Sequence, residues 1–243
     1  MSIDSEPRSG PTSVPVEGFF GREMAMVHRM FRREFLLSSG VVRRVDSGDA
    51  RRAHSVAAHL RFISATLHHH HSSEDRYVWP LLEQRAPAQL SEHVTAAMQQ
   101  HRHVHAVQAQ VDAELPIWSC GASADSRERL AGALERLAGA LIEHMDYEER
   151  NVVPLMETHI GLEKWDQILQ TMTAGQDRNG SEALLVLGMT MYEDDKDIID
   201  HTIGNMPTNV RAGIRGTAAL VYAEHAHLIH GTATPPRSTE IRR

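Results

Sequence analysis

Apolar residues recur every three or four positions along most of the chain, which is the spacing of amphipathic α-helices. Alternating β-branched runs, which are typical of strands, are scarce. The pattern predicts four long helices, at about residues 19–45, 50–84, 87–115 and 125–156. Pro80 is expected to kink the second helix, and Pro116 is expected in the loop after the third. Because the loops are short, we expect an all-α, up-down-up-down four-helix bundle.

The two ends and the last third of the chain have a different character. Residues 1–17 and 232–243 are polar and contain several prolines, so they are predicted to be disordered tails. Shorter helical patterns follow the bundle at about residues 162–173, 182–204 and 207–230. We interpret residues 18–160 as the bundle domain and residues 161–231 as a C-terminal helical extension that packs on it.

A segment of the second predicted helix recurs in the fourth. Both copies read H-x-x-x-E-[DE]-R-x-V-x-P-L, one beginning at His70 and the other at His144, 74 residues later. Chance is a poor explanation for six identical residues and one Asp/Glu match at fixed spacing. The repeat predicts a bundle made of two helical hairpins, with these segments as pseudo-two-fold mates.

The apolar stripe of each helix selects the ionisable residues that point into the bundle. Steps of three and four residues lead from the leucines of the second and fourth helices directly to a His and a Glu. The predicted inward groups are His28, His70, Glu74, His101, His105, His144 and Glu148. Buried groups of this kind are normally paired or bound to a metal ion. A metal site is therefore favoured over a buried His–Glu hydrogen-bond network.

Five imidazoles and two carboxylates restrict which metal site this can be. The donor types suit iron, and also zinc or manganese. A structural zinc ion takes four ligands, so seven groups are too many for one zinc ion. Two iron ions that share both carboxylates and a bridging oxo or hydroxo group would keep one position open for dioxygen or peroxide. We therefore expect two iron ions, with zinc or manganese as alternatives.

These residues resemble the hemerythrin family, specifically the hemerythrin-like HHE cation-binding domains, over about residues 19–158. The family pattern is a His on the first helix, H-x-x-x-E on the second, H-x-x-x-H on the third, and a His followed by a carboxylate on the fourth. Every position is filled here, and the resemblance implies a non-haem di-iron centre bridged by Glu74 and Glu148. Oxygen carriers place the last carboxylate five residues after its His, where Glu149 stands; Glu148 at four is similar to the bacterial and regulatory members. Reversible oxygen transport is therefore in doubt.

Composition excludes several other classes of protein. The net charge of −7 and the lack of a basic run disfavour nucleic-acid binding. The single cysteine excludes an internal disulfide and a cysteine-based metal site, and it fits a reducing cytoplasm. No apolar run approaches the roughly 20 residues of a membrane helix. We therefore expect a cytoplasmic protein that binds neither nucleic acid nor membrane.

The expected ligand of the centre is dioxygen, hydrogen peroxide or nitric oxide. The protein is either an enzyme, catalase-like, peroxidase-like or an oxygen-activating oxidase, or a sensor of oxygen, nitric oxide or iron. A sensor would signal through the extension to a protein partner or to a second copy of the chain. A zinc- or manganese-stabilised bundle without redox chemistry is the third alternative.

Most other candidate residues are expected to lie outside the centre. Tyr77, one turn beyond Glu74, is the candidate for a catalytic role next to the metal ligands. His59 and His71 fall off the apolar stripe and are expected on a solvated or helix-interface face. The histidines of the last helix, His225, His227 and His230, are expected at the surface, with a second metal site as the less favoured alternative.

Overall fold

The computed structural model describes residues 19–85, 87, 91–172, 180–206 and 208–241. The predicted N-terminal tail, residues 1–17, lies outside them. Within these ranges the chain is helical, and no strand occurs, so the all-α prediction is confirmed. The α-helices are α1 Phe19–Arg43, α2 Ala50–Ser73, α3 Trp79–Arg85, α4 Ser91–Gly121, α5 Ala124–Asn151, α6 Val153–His159, α7 Leu162–Met172, α8 Ser181–Met191, α9 Lys196–Gly204 and α10 Thr208–His230.

The helices α1, α2, α4 and α5 form the bundle. Each packs against two neighbours: α1 and α4 both contact α2 and α5. Side-chain caps fix where two of them begin, since Asp49 accepts a hydrogen bond from the backbone of α2 and Ser123 from that of α5. The predicted stripe residues, such as Leu60 and Leu134, are buried in one continuous core. Burial of these apolar residues turns the same face of each helix inward, and the histidines and glutamates on that face point into the bundle.

A π-helical turn, Glu74–Val78, separates α2 from α3. The ring of a helical proline clashes with the carbonyl four residues earlier, and a wider turn before Pro80 relieves this clash. A π turn adds about one residue to the turn. The inward position therefore moves from Tyr77, which is half-buried, to Val78, which is fully buried.

The second copy of the repeat is interrupted at the equivalent place. In the predicted fourth helix, α5 ends at Asn151 and α6 begins at Val153, with Pro154 in its first turn. The backbone N–H of Val152 still donates to the carbonyl oxygen of Glu148, at 2.9 Å. The two repeat prolines therefore each disturb a helix just beyond an inward glutamate.

The prediction that Pro116 lies in a loop is wrong, because α4 continues through it to Gly121. Proline removes one backbone hydrogen bond from a helix. The turn that follows buries Trp118 completely in the core, and this burial offsets the loss. The chain leaves the helix at Ala122, which has a φ of 45°.

The extension also differs in detail from its prediction. The helix predicted at 182–204 is two helices, α8 and α9, and the turn between them contains Asp194 at a φ of 62°. The next residue, Asp195, caps α9 through a hydrogen bond to the backbone of Ile198. Gly188 allows α8 to approach α10 closely, since a Cβ there would overlap the carbonyl oxygen of Ala218.

The residues after α10 are held against the rest of the protein, in contrast to the disordered tail predicted for 232–243. The Tyr192 hydroxyl donates to the carbonyl oxygen of Pro235 at 2.7 Å, and the Ser238 hydroxyl donates to Glu193 at 2.8 Å. The Arg237 guanidinium lies 5.4 Å from the centre of the Tyr192 ring. These contacts are between distant parts of the sequence, so local composition does not reveal them.

Throughout the described ranges, each helix is too short or too polar to cross a lipid bilayer.

Candidate metal centre

Six of the seven predicted ligands meet inside the bundle. Helix α1 contributes one of them, α4 one, and the paired segments at the ends of α2 and α5 two each. They are His28, His70, Glu74, His101, His144 and Glu148. Five are at most 1 % exposed, and the sixth, His70, is mostly buried. The helical stripe and the repeat therefore predicted which groups the fold brings together.

The carboxyl group of Glu74 lies between two histidines. Its Oε1 is 3.3 Å from Nε2 of His70, and its Oε2 is 3.5 Å from Nε2 of His101. Ligands that bind one metal ion at about 2.0–2.2 Å lie about 3–3.5 Å from one another. Each oxygen of Glu74 is therefore close enough to one histidine for the two to bind the same metal ion, and the histidine differs between the two oxygens.

Glu148 occupies the corresponding position on α5. Its Oε2 lies 3.3 Å from Nε2 of His144 and 3.5 Å from Nε2 of His28. The Nε2 atoms of His28 and His70 are 3.4 Å apart. Because these atoms converge from α1, α2 and α5, the site depends on the packing of the whole bundle.

Apart from a hydrogen bond between the carboxyl groups of Glu74 and Glu148, the inward atoms of these side chains lack hydrogen-bond partners within the described part of the chain. They include both oxygens of Glu74 and Glu148 and Nε2 of His101 and His144. Buried polar atoms are nearly always hydrogen-bonded, since leaving one unpaired costs about 1–3 kcal/mol. Imidazole nitrogen and carboxylate oxygen are also the donors that bind transition metals. The arrangement therefore fits a metal ion.

The second acidic residue of each repeat copy holds a histidine on a neighbouring helix. Asp75 accepts a hydrogen bond from Nδ1 of His101 at 2.8 Å, and Glu149 accepts one from Nδ1 of His28 at 2.9 Å. A carboxylate can only accept, so the ring proton lies on Nδ1 and the Nε2 lone pair faces the centre. In the sequence, the only indication of this role is that an acidic residue follows the inward glutamate in both copies of the repeat.

Glu149 is kept ionised by its neighbours. Burial acts to raise its pKa, but the hydrogen bond from His28 and the charge of Arg32 outweigh burial and lower this pKa to about 2. Arg32 donates to Glu149 at 2.6 Å and to Asp146 at 2.7 Å. His144 has a neutral partner instead, with its Nδ1 3.4 Å from Oε1 of Gln100.

The pKa values of the two inner glutamates, Glu74 and Glu148, are shifted in the opposite direction to that of Glu149. Burial, together with the charge of Glu149, raises the pKa of Glu148 to about 8, and burial next to Glu148 raises the pKa of Glu74 well above its usual value. Burial also lowers the pKa values of His28 and His144. Without a metal, Glu148 and these two histidines are therefore mostly neutral near pH 7, and burial disfavours the charged form of Glu74.

The structure adds one residue that the sequence pattern excluded. His71 is fully buried, with its ring stacked on His101 at 4.1 Å and edge-on to His144 at 4.9 Å between ring centres. One ring nitrogen of each of these three residues lies within 4.8 Å of the others. The inward face of a bundle helix spans more than 100°, so adjacent residues can both reach it. The run of four histidines from His68 was the available signal.

Two predicted residues lie outside this group. His105 is half-buried, with its ring centre 5.7 Å from that of His71, and it belongs to no candidate metal group among the described residues. Its Nε2 is nevertheless buried without a partner. Tyr77 is turned away by the π turn, lies under the Arg76 guanidinium at 5.3 Å, and faces an open cleft between α3 and α7.

Comparison with protein-family profiles matches residues 22–161 to the hemerythrin HHE cation binding domain. The matched segment is more than half of the chain and contains all the residues of the centre. Comparison with curated proteins and with solved structures gave no significant match. On the evidence of this match, the chain belongs to the hemerythrin HHE cation-binding domain family.

Proposed function

We propose that the bundle holds two iron ions and binds or reacts with dioxygen, hydrogen peroxide or nitric oxide. One observation carries the proposal: the buried carboxyl group of Glu74 faces a different histidine with each oxygen, at 3.3 and 3.5 Å. Glu74 belongs to two candidate ligand groups, one with His28 and His70 and one with His101 and Glu148, so it would be able to hold two metal ions at once. Membership in a cation-binding family supports the same conclusion.

The ligands divide into two halves around the glutamates. One ion would be held by His28 and His70, the other by histidines of α2, α4 and α5, and both would share Glu74 and Glu148. The second half consists of His71, His101 and His144. We assign the fifth imidazole to His71, because its ring nitrogens are buried and unpaired; His105, which the helical register predicts, lies beside it.

The chain itself prepares the site for redox chemistry. When bound, two ferrous ions supply two electrons to a small ligand at an open position. Phe31 covers His70 at 5.4 Å between ring centres, and Trp79 covers His101 at 6.0 Å, so both histidines are shielded from water. Asp75 holds the Nδ1 proton of His101 and thereby prevents the ring from turning.

A sensor is the second candidate, and helix α1 gives it specific support. Arg32 binds Glu149, which holds His28, whereas the next residue, Arg33, donates to the carbonyl oxygen of Met189 in the extension. A change of charge at the centre could therefore reach the extension through adjacent residues. In this role the extension would contact a protein partner or a second copy of the chain. The proposal includes a cytoplasmic location, which suits a ferrous centre and the exposed free thiol of Cys120.

Metal analysis and a visible spectrum of the full chain purified in air test the proposal. We expect about two iron ions per chain and a ferric charge-transfer band. Both should be lost in Glu74→Ala and retained in His54→Ala, a control at an exposed histidine of α2. Stoichiometric zinc without colour would contradict the redox proposal and favour the zinc or manganese alternative.

Kinetics then separate the enzyme from the sensor. An enzyme consumes peroxide or dioxygen over many turnovers. A sensor binds its ligand once per centre and changes its shape or its assembly, which scattering or analytical ultracentrifugation would detect.

A further inference from the structure

A second buried cluster of histidine and glutamate lies where α10 packs on the bundle. It brings together Glu34 of α1, His59 of α2 and His230 of α10. Oε2 of Glu34 is 3.3 Å from Nε2 of His59 and 3.2 Å from Nε2 of His230. The three side chains are 1 %, 2 % and 4 % exposed, respectively. Three donor atoms from three helices therefore meet away from water.

These distances are at the long end of the range for hydrogen bonds. The carboxylates of Asp75 and Glu149 lie 2.8 and 2.9 Å from the histidine nitrogens that donate to them. Charge-assisted N–H···O bonds are usually about 2.7–2.9 Å long. The 3.2 and 3.3 Å separations at Glu34 are longer, and they also match the spacing of two ligands around one metal ion.

The outer atoms of two of the three residues are held by other groups. Oε1 of Glu34 accepts a hydrogen bond from Arg33 at 2.8 Å and one from the Tyr222 hydroxyl at 3.4 Å. Nδ1 of His59 lies 3.0 Å from Nε2 of His225. Metal ligands are commonly oriented in this way through their non-coordinating atoms. The inner atoms, Oε2 and the two Nε2, are thus directed at one another.

The charges of the cluster favour a cation. Burial acts to raise the pKa of Glu34, but hydrogen bonds from His230 and His59 and the charge of Arg33 outweigh it, so this pKa lies well below its usual value. Glu193 is also paired with Arg33. The ionised carboxylate of Glu34 is therefore the charge that a bound cation would meet.

We propose that Glu34, His59 and His230 form a second metal site, which binds one divalent transition-metal ion and joins the extension to the bundle. Two imidazole nitrogens and one carboxylate oxygen are the donor set of three-ligand zinc sites, so zinc is the ion that fits best. Because the three ligands come from α1, α2 and α10, metal binding stabilises the docking of α10.

Zinc counting with matched variants tests this site. The full chain is stripped of metal, equilibrated with Zn²⁺ and analysed as wild type, His230→Gln and His227→Gln. His227 is exposed on the same helix, one turn before His230. We expect His230→Gln to bind one zinc ion fewer than the wild type and His227→Gln to bind the same number. Equal counts in wild type and His230→Gln would overturn the proposal, whatever number of ions the bundle centre holds.

A second variant and a second measurement keep the test decisive if His230→Gln fails to fold. Glu34→Gln keeps the side-chain volume and an oxygen acceptor for Arg33 but removes the anionic ligand, so it should also bind one zinc ion fewer. In the wild type, Zn²⁺ should slow hydrogen exchange in α10, which is remote in sequence from the bundle centre. Exchange in α10 that is unchanged by Zn²⁺ would also contradict the proposal.

Discussion

The two histidine–glutamate clusters contain the same residue types, but the pKa values of their buried glutamates are shifted in opposite directions. At the bundle centre the pKa of Glu148 is raised to about 8, by burial and by the charge of Glu149. At the extension the pKa of Glu34 is lowered, although it is equally buried, by hydrogen bonds from two histidines and by the charge of Arg33. The difference teaches that burial alone does not decide whether an interior carboxyl group is charged.

Two consecutive arginines of α1 create much of this difference. Arg32 binds Glu149 and Asp146, on the outer side of the centre, and leaves the inner glutamates without a guanidinium. Arg33 lies against Glu34, and its guanidinium carbon is 5.0 Å from the centre of the Tyr222 ring. Near pH 7 Glu148 is therefore mostly uncharged without a metal ion, whereas Glu34 is charged before any ion binds.

Replacement of the buried guanidinium should have the largest effect on stability. Arg33→Met leaves Glu34 and Glu193 buried without a cation, which costs about 3–5 kcal/mol when one partner of a buried ion pair is removed. Urea unfolding of the metal-free chain measures this loss. Arg43→Met, which breaks exposed ion pairs of the same helix, should change stability far less. An equal loss of stability in the two variants would show that Arg33, Glu34 and Glu193 do not form a buried ion-pair cluster.

His71 and His105 provide the next contrast, because they decide which histidine completes the bundle centre. His71→Ala should weaken metal binding more than 100-fold, which is the upper end of what removal of an outer hydrogen-bond partner costs. His105→Ala should have a smaller effect, since its ring lies outside the group. Metal affinity, measured by competition with a coloured chelator, checks both variants. A larger loss of affinity in His105→Ala than in His71→Ala would show that His105, which the helical register predicts, is the ligand.

The sequence predicted the parts of the structure that depend on local periodicity. The stripe through Leu60 and Leu67 leads to His70 and Glu74, and each further step is one helical turn. The repeat added the role of Glu148 as the mate of Glu74. The inward placement of these residues is predictable because a bundle helix has one inward face, which its own residues define; their role as ligands stays a prediction.

The features that were missed depend on contacts between distant segments. The hydrogen bond from His101 to Asp75 requires α2 and α4 to be neighbours, and the apolar pattern carries no such information. Glu34 and His230 are 196 residues apart in the sequence, so no motif spacing connects them. Tyr77 was misplaced because the π turn changes the register by about one residue.

The outer acids of the repeat should have intermediate effects on the centre. Asp75→Asn and Glu149→Gln each remove a carboxylate that orients a histidine, so each should weaken metal binding by about 10–100-fold. Glu148→Ala removes an inner group and should abolish binding of at least one ion. Metal content after dialysis ranks the three variants. If Glu149→Gln loses more metal than Glu148→Ala, the inward position on α5 belongs to Glu149.

Metal binding to the centre should strengthen as the pH rises towards 8. The carboxyl group of Glu148, with a pKa of about 8 in the metal-free chain, is protonated below that pH and must lose its proton to bind a cation. Each displaced proton weakens apparent affinity by about tenfold per pH unit below the pKa. Calorimetry in two buffers with different ionisation enthalpies counts the protons released. Affinity that is constant between about pH 6 and 8 would contradict the raised pKa.

The smallest effect is expected where an inner carboxyl group is replaced without a metal present. At about pH 5 Glu148 is neutral in the folded chain and only partly ionised in the unfolded chain, so Glu148→Gln exchanges one neutral group for another of similar size and should change stability by about 1 kcal/mol or less. As the pH rises from about 5 to 8, the wild type loses stability, because the carboxyl group is ionised in the unfolded chain, with a pKa of 4.5, and must take up a proton to fold; the loss ends near the folded-state pKa of about 8. The Gln variant has no such group, so the stability difference should grow in its favour. Urea unfolding of the metal-free proteins at both pH values measures this difference.

Glu34→Gln should destabilise the chain at both pH values, since that carboxylate is charged and bound to Arg33. If stability responded to pH in the same way in both variants, the distinction between the two clusters would be removed.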